Sequence, residues 1–169
     1  MERIMIFFEK IINRIRIVLT KLILKLTYSS KLTFGERIYW RKGLKIIIKN
    51  NGKINIGDNC FFNYNCSITC LSNVEIGKNT LFGENVKIYD HNHRFNKKNE
   101  YVANQGMSSG YVHIGNNCWI GSNVTILNKT VIGNNCVIGA GCVVSGNIPD
   151  NTIVKIDRNS YISENIVYK

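Results

Sequence analysis

The chain has 169 residues, 44% of them apolar and 20% charged, with 22 Lys and Arg against 11 Asp and Glu for a formal charge of +11. That length suits one domain with its own core, and the balance excludes a disordered polyelectrolyte and a multi-span membrane protein. Charge is uneven: residues 1–49 carry twelve Lys or Arg and three Glu, a net of +9, against +2 for residues 50–169, so any anionic partner belongs to the N-terminal part.

Residues 2–28 read as a helix. Arg3, Lys10, Arg14, Lys21 and Lys25 recur at spacings of 7, 4, 7 and 4 and share one face, while Ile, Leu and Phe fill most of the remainder. No charge-free run approaches the roughly 18 residues of a membrane-spanning segment. Such a helix either lies on an anionic membrane surface or packs its apolar side on the rest of the chain or on other subunits. Nucleic acid is not expected as a partner, because the later sequence lacks a basic stripe with interleaved aromatics. No stretch of seven or more apolar residues precedes a small-residue cleavage site, which predicts a reduced, cytoplasmic setting.

A repeat organises the rest of the chain. Bulky apolar residues recur every six positions at Ile56, Phe62 and Ile68, slip by two, and resume at Ile76, Phe82 and Ile88. A third block runs without a miss through Ile114, Ile120, Ile126, Ile132, Ile138 and Val144. A period of six fits neither a helix nor long alternating strands, but it fits short extended segments joined by Gly- and Asn-bearing turns. The reading is an all-β parallel β-helix with the anchors inside. Glycine or asparagine is expected where the backbone needs positive φ, with Asp58, Asn59, Lys78, Asn79, Asn116, Asn117, Asn134 and Asn135 at the turns.

Cys60, Cys66, Cys118, Cys136 and Cys142 each fall two residues before an anchor, where alternation again points inward, so they read as core filler. Cys70, in the slip, is left without a defined environment by this pattern. Three segments result: a helical one at 1–43, the β-helix at 44–156 and a tail at 157–169.

Between Ile88 and Ile114 the repeat stops, and the polar segment 89–113 holds His91, His93 and His113. A long excursion from a rigid scaffold is where chemistry tends to reside. Three readings of the histidines stand: a zinc site, loop histidines that bond to backbone, and acid-base catalysis. Zinc lacks a carboxylate or cysteine at a familiar ligand spacing, so no metal is expected. A hydroxyl acceptor is a poor nucleophile until a base takes its proton, a duty that suits histidine.

The hexads, the interrupting loop and the stretch IGNNCWIGSNVTILNKTVIGNNCVIGAGCVVSGNIPDN resemble the acetyl-CoA-dependent O-acetyltransferases of the left-handed β-helix superfamily. Closest in pattern is the branch of galactoside, maltose, streptogramin and surface-polysaccharide enzymes, matched over about residues 44–155. The resemblance implies a left-handed three-sided column, a homotrimer with sites between subunits, and direct acetyl transfer from coenzyme A with a loop histidine as base. That histidine matches His93 in Asn92-His93-Arg94, with His91 as the fallback. The run Asn63-Tyr64-Asn65 is similar to the one by which sugar-acetylating members contact the acceptor hydroxyl, but Cys70 and Leu71 stand where acidic residues come after it in those enzymes.

Trp119, Ser122, Ala140 and Gly141 match positions lining the pantetheine channel, whereas VKIDRNS stands in place of the family's usual Gly-x-Pro-Ala segment with its basic residue near the nucleotide phosphates, leaving Lys155 and Arg158 as the candidates to meet that charge. The expected acceptor is a sugar or glycan of a bacterial surface polysaccharide or its precursor, with peripheral inner-membrane contact through residues 2–28. Alternatives are N-acetylation of an amino sugar, a non-catalytic scaffold, and a metal-dependent hydratase of the related carbonic-anhydrase branch.

Overall fold

The computed structural model describes residues 2–156. One helix, α1 (Glu2–Tyr28), leads into a column of short parallel strands, whose successive hydrogen-bonded sheets make three faces of six, six and five strands. The first face stacks Leu32–Phe34, Lys53–Ile56, Asn73–Ile76, Tyr111–Ile114, Thr130–Ile132 and Asn147–Ile148. The second stacks Tyr39–Trp40, Phe61–Phe62, Leu81–Phe82, Trp119–Ile120, Val137–Ile138 and Ile153–Val154, and the third begins at Lys45–Ile48 and ends at Val143–Val144.

The anchors stack on one another in register. Ile56 pairs with Ile76, Ile76 with Ile114 and Ile114 with Ile132 on the first face; Phe62, Phe82, Ile120 and Ile138 do the same on the second. All these side chains are buried, and the Phe62 and Phe82 rings lie 4.4 Å apart and nearly parallel. Burial of this kind, at about 25 cal/mol per Å² of apolar surface, is the main favourable term in the fold.

The column begins earlier than a boundary at residue 44 allows. Phe34, Trp40 and Ile46 pair with Ile56, Phe62 and Ile68, so a complete coil precedes the first block of the repeat. It keeps the six-residue step and even places Gly35 after its first anchor. Two aromatic anchors and an insertion of four residues before Ile56 disguise it.

Glycine and asparagine divide the turn work differently from the expectation. Gly57, Gly77, Gly115 and Gly133 do not have positive φ; a Cβ on Gly77 or Gly115 would come within 2.6 Å of the next coil's backbone, so close stacking requires them. Positive φ falls two residues later, on Asn59, Asn79, Asn117 and Asn135. Asparagine tolerates that conformation better than other non-glycine residues. Here its amide also bonds to the next coil, as from Asn117 to Asn135 at 2.9 Å and from Asn59 to Asn79 at 2.9 Å.

All six cysteines are buried and unpaired. Cys60, Cys66, Cys118 and Cys136 donate Sγ–H to the carbonyls of Gly77, Gly83, Gly133 and Pro149 at 3.0–3.2 Å. Burial pushes the Cys66 thiol up to about 11.

The helix α1 packs on the column, one of the readings its sequence allowed, but turns most of its apolar residues away from it. Ile17, Leu24 and Tyr28 pack against the core at the column's first coil, and Lys21 Nζ sits 5.5 Å from the centre of the Phe34 ring. Burial lowers the pKa of that lysine. On the opposite side Ile11, Ile15, Val18, Leu19, Leu22 and Leu26 are exposed, an apolar strip with nothing against it among the described residues. Among the described residues no helix is long and apolar enough to cross a membrane.

Candidate active site

The excursion leaves the column at the end of Lys87–Tyr89 on the third face and returns at Tyr111 on the first. Its base is a two-stranded antiparallel hairpin, His91–His93 against Met107–Ser109, with His91 opposite Ser109 and His93 opposite Met107. What fixes the hairpin is Asp90. Alternation after Ile88 turns this carboxylate inward, where it is fully buried and accepts backbone N–H bonds from Leu71, Ser72 and Asn73 at 2.6–3.1 Å. Three converging amides and the Cys70 thiol at 3.3 Å replace the water it has lost. Cys70 thereby gains its environment: burial, then the Asp90 charge, pushes its thiol up to about 12.

The tip is held by one side-chain amide. Gln105, buried, accepts from Lys97 N at 2.9 Å and donates to the carbonyls of Lys97 and Glu100 at 3.1 and 2.8 Å. Neither Asp90 nor Gln105 was singled out by the repeat. The available signal was an acidic residue on an inward position, two after an anchor.

The three histidines part company. His91 Nδ1 lies 3.0 Å from Asp90 Oδ1, and its half-buried ring meets Tyr89 edge to face at 6.0 Å. His93, two residues on along the same strand, is exposed and its ring has no hydrogen-bond partner among the described residues. His113 lies on the outer side of the first face beside Glu75, Nδ1 to Oε2 3.2 Å. That contact, after a bond from Asn73, holds the Glu75 carboxyl below its usual pKa. Among the described residues no three His, Cys, Asp or Glu converge as metal ligands would.

The other expected residues gather on the edge between the second and third faces. Asn85 N bonds Tyr64 O, Asn123 N bonds Glu84 O and Gly141 N bonds Ser122 O, each at 2.7–2.9 Å, so one turn sits on the next. Asn63, Tyr64 and Asn65 occupy this edge in the second coil, Ser122 in the fourth, Ala140 and Gly141 in the fifth. Lys155, exposed, comes after the last strand of the second face, with its Cα 3.8 Å from where a Cβ on Gly139 would stand. Ser122 Oγ accepts from Glu84 N at 3.1 Å and keeps its own proton to donate. Trp119 projects from the second face, 57% exposed. Ala140 and Gly141 are exposed and add little bulk, so a thin flexible chain has room along the edge beside the indole. Arg158 lies outside the described residues.

Within one chain, then, the histidine hairpin leaves the far end of the third face from this edge. The outward row of the second face is apolar throughout: Tyr39, Phe61, Leu81, Trp119, Val137 and Ile153 lie one above another.

Comparison with known proteins agrees with this architecture. Residues 111–146 match the family described as Bacterial transferase hexapeptide (six repeats). A protein of Escherichia coli (strain K12) named "Putative lipopolysaccharide biosynthesis O-acetyl transferase WbbJ" is 36% identical over 130 residues, covering 73% of this chain and 66% of its own length. Among solved structures, a galactoside acetyltransferase in complex with coenzyme A is 31% identical with a TM-score of 0.66, covering 79% of this chain and 63% of its own. A maltose O-acetyltransferase from Clostridium difficile 630 is 33% identical with a TM-score of 0.61, covering 73% and 64%. The chain thus spans just under two thirds of the length of these relatives. With the repeat and the three-faced column both present, residues 111–146 carry the repeat of the bacterial hexapeptide transferases, and the chain is similar to acetyltransferases built on it.

Proposed function

We propose that this chain is an acetyl-CoA-dependent O-acetyltransferase acting on a sugar hydroxyl of a surface polysaccharide or its precursor. The observation that carries the reading is the single edge that stacks Asn63-Tyr64-Asn65 below Ser122, Ala140 and Gly141, acceptor residues at one end and cofactor residues at the other. The relatives named as galactoside acetyltransferase, maltose O-acetyltransferase and lipopolysaccharide biosynthesis O-acetyl transferase support the same chemistry.

When bound, acetyl-CoA supplies the acetyl group as a thioester. Ala140 and Gly141 leave room for its arm, Trp119 flanks it, Ser122 donates a hydrogen bond, and Lys155 and Arg158 offer charge to its phosphates. His93 takes the proton from the acceptor hydroxyl as the oxygen attacks, and returns it to the departing sulfur, so no acyl-enzyme is needed. Asn63 orients the acceptor. Asp90 and His91 act as positioning residues: they lock the strand that carries His93, whose exposed ring is the one left available to a substrate.

Because hairpin and edge lie at opposite sides of the third face, a second copy completes the site. Beyond Tyr39 and Phe61, which face α1, the apolar outer row of the second face (Leu81, Trp119, Val137 and Ile153) supports that packing, since monomers rarely expose large contiguous apolar patches. The family resemblance implies that this assembly is a homotrimer. The reduced thiols and the basic, apolar α1 support a cytoplasmic enzyme in peripheral contact with the inner membrane face.

Calorimetry with coenzyme A tests the core of the proposal: one site per chain is expected, and absence of heat would leave a scaffold. Sedimentation with anionic vesicles tests the membrane contact. Leu19→Asp/Leu22→Asp, at exposed positions, should abolish pelleting, and equal recovery of both proteins would count against docking.

A further inference from the structure

A cleft of about 420 Å³ lies where α1 crosses the first two coils. Lys10 and Arg16 enter it from the helix, Arg41 and Lys42 from the turn after Trp40, and no carboxylate lines it among the described residues. Two of the cations are held in place. Asn13 donates to the Tyr39 hydroxyl and to Trp40 O while accepting from the Arg16 guanidinium. Arg41 lies over the Tyr64 ring at 5.0 Å and donates to its hydroxyl at 3.3 Å. One wall is flat and aromatic: the Tyr39 and Phe61 rings are 5.9 Å apart and within 10° of parallel. Four like charges gathered in one concavity repel one another unless an anion joins them, and guanidinium groups match phosphate geometry.

We propose that this cleft binds the diphosphate of an activated acceptor, a sugar joined through diphosphate to a carrier. The inference rests on the acetyl-transfer reading and extends it. Tyr64 belongs both to the cleft and to the run assigned to the acceptor, so a sugar attached to the diphosphate lies beside Asn63. Two phosphates match four cations better than one, and the stacked rings offer a face to a sugar or a base. Next to this cleft, a second shares Lys10 and Tyr39 and adds Phe7, Ile11 and Arg14, an apolar lane with a basic margin leading toward the outer strip of α1. The diphosphate can come from a prenyl carrier, whose chain would run along that lane, or from a soluble nucleotide.

Titration calorimetry of the full chain decides it, with inorganic pyrophosphate, farnesyl diphosphate, uridine diphosphate and coenzyme A as probes. Pyrophosphate should bind, Arg41→Ala/Lys42→Ala should weaken it at least about tenfold, and coenzyme A affinity should be unchanged in that variant. Tighter binding of farnesyl diphosphate than of uridine diphosphate assigns the prenyl source, and the reverse order assigns the nucleotide; either supports the diphosphate site. The proposal is overturned by absence of binding to all three diphosphate probes or by an unaltered affinity in the double variant. It is overturned equally by the same loss in Lys53→Ala/Lys87→Ala, which would mean diffuse charge, or by displacement of pyrophosphate with coenzyme A. Failure of the acetyl-transfer reading would show separately, as wild-type protein that does not bind coenzyme A.

Discussion

The column and its excursion solve the same problem with opposite means. In the column, backbone groups pair with the coils on either side and the interior is aliphatic, as at Ile114, Ile120 and Ile126. The excursion, which has no neighbouring coils to pair with, is held by a short hairpin, by one buried amide that gathers its loose backbone groups, and by one buried carboxylate that reaches back to the column's Ser72 and Asn73 amides. Repetition makes the first robust and anonymous. The second depends on single residues, and damage to it should stay local.

The largest expected effect comes from striking the column. Ile126→Asp puts an unpaired charge among aliphatic side chains, a cost of several kcal/mol against a net stability of about 5–15 kcal/mol. We expect loss of cooperative unfolding, read by thermal scanning; a variant with an unchanged midpoint would refute the aliphatic interior. Next, His93→Ala should lower turnover by about 10²–10⁴ while coenzyme A affinity and oligomeric state stay as they were. His91→Ala should cost less, and a larger loss from it would reverse the two roles.

Asp90→Ala should cost about 1–3 kcal/mol, because it orphans buried amides. Amide exchange should quicken at Leu71, Ser72 and Asn73 and in the hairpin but not in Thr130–Ile132. Uniform exchange across the chain would erase the distinction between the two regions.

The smallest effect is alkaline. Cys66 and Cys70 keep their protons in the fold to about 11 and about 12, whereas unfolded thiols ionise near 9, so their contribution is intact below pH 9 and is lost as pH rises toward those values. Urea midpoints should fall over that window, less steeply in Cys70→Ala. A flat profile would mean that the thiols are not protected.

The column was legible because its chemistry is periodic: each anchor announces the next, and the turn asparagines fall in step. One coil escaped. Phe34, Trp40 and Ile46 keep the period, yet aromatic anchors and an uneven step to Ile56 break the visual pattern. Asp90 and Gln105 escaped for a different reason, since each acts on backbone groups brought near only by folding. The cleft under α1 was beyond one-dimensional reading altogether, since residues 10, 16, 41 and 64 meet there through the docking of a helix whose apolar side points away from the column.

The coils before and after the excursion stack as though it were absent: Asn73–Ile76 of the third pairs directly with Tyr111–Ile114 of the fourth across four residues. Chain entropy penalises a longer closed segment only weakly, by about 0.6 kcal/mol for each doubling of its length. The histidine-bearing segment is therefore a cassette: it can be exchanged, lengthened or redesigned for another acceptor without re-engineering the support, provided the replacement brings its own plug for the amides that Asp90 now occupies.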